Sequence, residues 1–227
     1  MNEHRDRPAT HRKVSIPLDG DVLEGDLHIP SGAQAIVVFA HGSGSSRHSP
    51  RNRQVAGELQ RAGLATLLFD LLTAAEERVD LRTREHRFDI PLLAGRLVTA
   101  TDWLMEQPET RSLSIGYFGS STGAAAALVA AAERPDTAGA VVSRGGRPDL
   151  AGNELGRVNA PSLLIVGGND QPVIGMNRQA MEQMSCPVQL EIVQGATHLF
   201  EEPGKLEEVT RLARDWFQRR LMDSSAR

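Results

Sequence analysis

The sequence predicts an α/β protein with one mostly parallel, eight-stranded sheet covered by helices on both faces and no large lid. Three observations predict it. Strand-like and helix-like segments alternate along the chain after an initial hairpin, and several of the strand-like segments are continuous apolar runs, the pattern of strands buried on both faces. Four polar turns, at 41–46, 119–123, 167–170 and 195–198, each follow such a strand, where open α/β sheets gather their functional side chains. The 227 residues, 40% of them hydrophobic, suffice for one large core. No linker, repeat or low-complexity tract interrupts 12–221, so a single domain is expected there, with tails at 1–11 and 222–227.

Each element has a local reason. Residues 12–17 and 21–29 read as two strands joined at Asp19-Gly20, a hairpin signal. Residues 34–40 form an apolar strand that ends in His41-Gly42-Ser43-Gly44. Ser49-Pro50 starts a helix, with an N-cap before a proline in the first turn and Val55, Leu59 and Ala62 on one face. Residues 64–69 are the next buried strand. The charged stretch 70–89 has no clear periodicity and reads as a long loop. Helical spacing returns at 90–105 with Leu93, Leu97, Ala100 and Leu104. Strands are expected at 113–118, 138–143, 161–166 and 188–193, and helices after 123, at 174–184 and at 203–221.

Gly119-Ser120-Ser121-Thr122-Gly123 fits Gly-x-Ser-x-Gly between a strand and a helix, a sharp bend that exposes the central side chain. A serine hydroxyl needs an imidazole to take its proton, and a carboxylate to fix that imidazole's tautomer. Asp170 and His198 follow Ser121 in that order, each just beyond an expected strand. The remaining histidines fit less well: His4 and His11 lie in the tail, His28 inside a strand and His86 in the charged stretch. Oxyanion donors are expected from the backbone N–H groups of Thr122 and Ser43. His41, Arg144 and Arg147 are candidate substrate-binding residues, the two arginines for a carboxylate or other anion. The bland alternatives are a helix N-cap for Ser121, a turn residue for Asp170 and a solvated surface for the arginines beside Asp149.

Four stretches carry a family resemblance: 41–52 (HGSGSSRHSPRN), 116–125 (GYFGSSTGAA), 143–150 (SRGGRPDL) and 195–200 (GATHLF). With them the chain resembles an α/β-hydrolase of the dienelactone-hydrolase-like group. More narrowly, it resembles small bacterial hydrolases that occur alone or joined to a phosphoribosyltransferase domain. The resemblance spans nearly all of 12–221 and implies a hydrolase. It departs at one point: dienelactone hydrolases proper use a cysteine nucleophile, whereas this turn holds Ser121 and the single cysteine, Cys186, lies elsewhere.

Composition narrows the class. A net charge of -4 and a pI near 6.0 offer no basic field for nucleic acid. No apolar run reaches the roughly 18 residues of a membrane span, and the charged N-terminal residues lack the apolar core of a signal peptide. A lone cysteine excludes an internal disulfide. These features lead to the expectation of a cytoplasmic enzyme without cofactor or metal, whose partner is a small-molecule ester; a homodimer is a candidate assembly. Small carboxylic esters, thioesters or lactones are the expected substrates. Acyl transfer by the same residues, and a non-catalytic binding module of this fold, stay open as alternatives.

Overall fold

The computed structural model describes residues 9–222. β1 (Thr10–Leu18) and β2 (Asp21–Ile29) form the expected antiparallel hairpin, turning at Gly20 with φ +81°. Thr10 and His11 pair with Ile29 and His28, so the first strand starts inside the segment expected as a tail. The rest of the expected tails, 1–8 and 223–227, lies outside the described residues. β3 (Ala35–Ala40), β4 (Ala65–Phe69), β5 (Ser114–Ser120), β6 (Ala138–Arg144), β7 (Ser162–Gly167) and β8 (Val188–Val193) complete one sheet in the order β1-β2-β4-β3-β5-β6-β7-β8. β2 runs antiparallel to β4; from β4 onward every pairing is parallel.

Parallel strands need helical crossovers, and these cover both faces. α1 (Pro50–Arg61) and α6 (Lys205–Phe217) share one core with Phe39, Phe118, Val142 and Ile165. α3 (Ile90–Glu106), α4 (Thr122–Glu133) and part of α5 (Gln171–Gln183) share the other, with Ile36, Tyr117 and Val141. Tyr117 is fully enclosed there, its hydroxyl 2.7 Å from Thr101 Oγ1. Burial of that phenol pushes its pKa up to about 12, so it stays a neutral core group. The segment Pro148–Arg157, between β6 and β7, forms tight 3-10 turns that pack against α4 and α5 instead of building a lid.

The stretch 70–89 departs from the sequence expectation. It holds a helix, α2 (Ala74–Thr83), where a loop was expected. Thr73 caps it through a reciprocal pair: its Oγ1 accepts from Glu76 N–H, while the Glu76 carboxylate accepts from Thr73 N–H. Leu71 and Leu72 anchor the start of the segment in the core, while the ties around α2 are polar. Asp80 is buried and accepts from the backbone N–H groups of His86 and Arg87 at 2.9 and 3.0 Å and from Arg87 Nε at 2.7 Å. Arg96 of α3 reaches Glu76 at 2.5 Å. A helix secured by a buried carboxylate carries little hydrophobic period, which explains its poor legibility. Replacing Asp80 with Ala leaves Arg87 and two amides without their acceptor. Urea unfolding of that variant should show a loss of about 3 kcal/mol; a change under about 0.5 kcal/mol would contradict this account of the segment.

Candidate active site

Ser121 occupies the bend between β5 and α4 with φ 51° and ψ -121°, a backbone region that costs a residue with a side chain about 1–3 kcal/mol. The surroundings enforce it. A Cβ on Gly123 would lie 2.3 Å from the Ala40 carbonyl oxygen, and one on Gly119 would lie 2.4 Å from Ala124 Cα. Helix and strand therefore approach more closely than any other residue type permits. Ser121 N–H donates to the Arg144 carbonyl at 3.2 Å, and the Ser121 carbonyl accepts from Ala124 and Arg147 N–H, each at 3.1 Å. The hydroxyl does not cap α4, so it is not spent on the helix terminus.

The other expected residues come from neighbouring strand ends. Asp170 begins the helix after β7, and His198 lies in the turn after β8. His198 Nδ1 donates to Asp170 Oδ2 at 2.7 Å. With Nδ1 carrying the proton, Nε2 is left as a lone pair, the form a proton acceptor needs. The Asp170 side chain is 14% exposed and His198 38%, so the imidazole faces the opening and the carboxylate lies behind it. Two further contacts join the strand ends. A Cβ on Gly42 would touch Ser121 Cβ at 3.2 Å, and one on Gly145 would lie 3.6 Å from His198 Cε1. The structure thus brings Ser121, Asp170, His198 and the 41–44 turn to one edge of the sheet. Among the described residues neither Ser43 N–H nor Thr122 N–H donates to another protein atom.

The three candidate binding residues separate. His41 is buried, accepts from Leu71 N–H through Nε2 at 3.1 Å and donates from Nδ1 to the Gly42 carbonyl at 3.0 Å. Neither ring nitrogen is left for a substrate; His41 fixes the 41–44 turn against the chain leaving β4. Arg147 forms a two-point ion pair with Asp149 at 2.9 and 2.7 Å and is partly exposed, the solvated-surface alternative. Arg144 is buried, only 7% exposed. Sequence reasoning missed Arg51, whose positive charge acts on Arg144. The available signal was a basic residue in the first turn of α1, the end of a helix that disfavours cations.

A cavity of about 520 Å³ adjoins the 41–46 turn and is lined by His41, Ser45, Ser46, Asp70, Leu72 and Arg78. The larger cavity, about 590 Å³, lies at the other end of the sheet among Ser114, Asp136, Gly139 and Leu221. Its position at the amino ends of β5 and β6 removes it from the site.

The family model for the dienelactone hydrolase family matches residues 23–222. The chain belongs to that family. A structure of a dienelactone hydrolase from Anabaena variabilis is similar at 61% identity with a TM-score of 0.92, over 95% of this chain and 100% of that one. A Mycobacterium tuberculosis protein that bears a phosphoribosyl transferase name is 58% identical over 225 residues, covering 93% of this chain and 47% of the relative. The chain thus spans about half the length of the curated relatives it matches. Est1E of Butyrivibrio proteoclasticus, with ferulic acid bound, shares the fold at 16% identity and a TM-score of 0.77, over 91% of this chain and 98% of that one. Among the described residues no helix is long and apolar enough to cross a membrane.

The His41 geometry has a pH consequence. Burial, the largest influence, holds its pKa below the ordinary histidine value. Its neutral ring therefore contributes stability that is complete above about pH 6.5 and is lost as the pH falls below that value, where the unfolded chain takes up the proton first. Unfolding free energy measured in urea should drop by about 1 kcal/mol per pH unit just below pH 6.5, and His41→Gln should flatten that slope. Equal slopes in the two proteins would assign the pH dependence to other groups.

Proposed function

We propose that this chain is a serine hydrolase of small carboxylic esters, with thioesters and lactones in the same chemical range. Ser121 attacks the carbonyl carbon as His198 Nε2 takes the hydroxyl proton. Asp170 holds the imidazole in the required tautomer and stabilises the imidazolium that forms. The Thr122 and Ser43 amides receive the oxyanion. His198 returns the proton to the departing alcohol, and water then releases the acid from the acyl-serine by the same steps in reverse order.

The observation that carries this reading is the 2.7 Å bond from His198 Nδ1 to Asp170, made beside a serine whose backbone is held in a costly conformation and whose hydroxyl serves no cap. A side chain retained at such a position has a use that outweighs its conformational cost. The family supports hydrolysis, and the esterase neighbours support the fold on which it would run.

Ser121→Ala should lower kcat/KM for p-nitrophenyl butyrate by at least about 10³-fold without lowering the melting temperature. Normal turnover by that variant would overturn the assignment of the nucleophile.

A further inference from the structure

We propose that Asn177 is a positioning residue for the reaction, which sets the Thr122 N–H at the oxyanion through two peptide groups hydrogen-bonded in series. The inference rests on the reading of Ser121 as nucleophile with the Thr122 N–H as an oxyanion donor. Asn177 lies in the interior of α5, on the inner face that Val173 and Ala180 share with it at helical spacing, and it is fully buried. Asparagine favours caps and turns over helix interiors, and enclosing its amide is costly unless the N–H groups are satisfied. Its Nδ2 donates to the Val173 carbonyl at 2.8 Å, one turn back, and to the Gly146 carbonyl at 3.1 Å, outside the helix. Two carbonyls need two N–H groups, so the orientation of the amide is fixed. Oδ1 has no hydrogen-bond partner among the described residues, so the side chain serves as a donor alone.

The Gly146 carbonyl and the Arg147 N–H belong to one peptide group, and that N–H donates to the Ser121 carbonyl at 3.1 Å, which also accepts from Ala124 N–H. The Ser121 carbonyl in turn shares a peptide group with the Thr122 N–H. The chain of donors therefore runs from Asn177 through the 146–147 peptide and the 121–122 peptide to the place where the oxyanion forms. Thr122 opens α4, so its N–H has no acceptor inside the helix. A peptide whose carbonyl accepts a hydrogen bond presents a more polar N–H, and bonds linked in this way strengthen one another in a buried setting. Orientation is transmitted as well. A Cβ on Gly146 would overlap Ser143 Oγ and lie 2.6 Å from Ala124 Cβ, so the segment is pressed against β6 and the first turn of α4. The Ser121 ψ of -121° sets the direction of the Thr122 N–H, and the Arg147 bond holds the carbonyl that this angle turns. α5 begins directly after Asp170, the partner of His198. One helix thus supports the carboxylate that orients the base and, about two turns further on, the amide that stands behind the oxyanion donor.

The test measures turnover of p-nitrophenyl butyrate and the affinity of a propyl trifluoromethyl ketone, whose adduct with Ser121 places an oxyanion at the same donors. Asn177→Leu fills the site and Asn177→Ala leaves a cavity, so the two variants differ in packing and share only the lost donor. Both should lower kcat on the order of 10-fold with KM within about two-fold, a smaller loss than removal of an oxyanion donor causes, because the Thr122 N–H is weakened and not deleted. Affinity for the trifluoromethyl ketone should fall by about the same factor as kcat. Ala180→Gly, which weakens the same face of α5 and leaves the Asn177 amide in place, should lower Tm and leave kcat and inhibitor affinity unchanged. Unchanged kcat and inhibitor affinity in the Asn177 variants, a rise in KM in place of the fall in kcat, or an equal loss in Ala180→Gly overturns the positioning role. Failure of both Asn177 variants to fold overturns it too, since the amide would then be purely structural. Failure of the nucleophile reading would look different: the wild-type protein would not bind the trifluoromethyl ketone, and Ser121→Ala would keep its turnover.

Discussion

The close approach of α4 to β3 is the constraint on which the site depends. Gly123 lies against the Ala40 and His41 carbonyls and Gly119 against Ala124, with no room for a Cβ at either position. This contact forces the chain to leave β5 and enter α4 through a single residue, and Ser121 takes the strained dihedrals that result. The same contact fixes the turn after β3 next to the serine, since Gly42 meets Ser121 Cβ. Loosening it would release the strain, the exposure of the hydroxyl and the position of the expected oxyanion donors together. On the other side, hydrogen bonds from Ser121 to Arg144 and Arg147 lock the bend to the end of β6.

Much of the fold was legible because it is written in hydrophobic period. The central strands are fully buried, mostly apolar runs such as Ala35–Ala40 and Ser162–Gly167, and their alternation with helical spacing gives a parallel sheet directly. The turns that bear Ser121, Asp170 and His198 follow such strands, so the sequence could nominate residues that the sheet brings to one edge. The stretch 70–89 was illegible for the opposite reason. α2 is secured by the Thr73 cap and by the buried Asp80, and polar attachments leave no periodic trace.

The arginines show a second limit. Sequence treats Arg144 and Arg147 alike, three residues apart in one polar segment. Arg144, however, is the last residue of a strand whose alternation turns it into the core face, whereas Arg147 follows the Gly145-Gly146 bend and finds Asp149 two residues on. Burial without a partner depends on strand register and on what α1 brings across the sheet, and neither is a local property. His41 is similar: at a glycine turn it reads as a substrate-binding candidate, yet its ring is buried and bonds Leu71 N–H. The site thus combines one buried neutral histidine that positions a turn, one half-exposed histidine with a free nitrogen and one buried cation without a partner.

The central claim is that the strained serine carries the acyl group. Its most direct test is rapid acid quenching of the protein with p-nitrophenyl acetate during the first turnover, followed by peptide fragmentation in a mass spectrometer. The account predicts an acetyl group on Ser121 and none on the adjacent Ser120. An initial burst of nitrophenol with the acetyl group on another residue, or with no acetylated peptide, would contradict it.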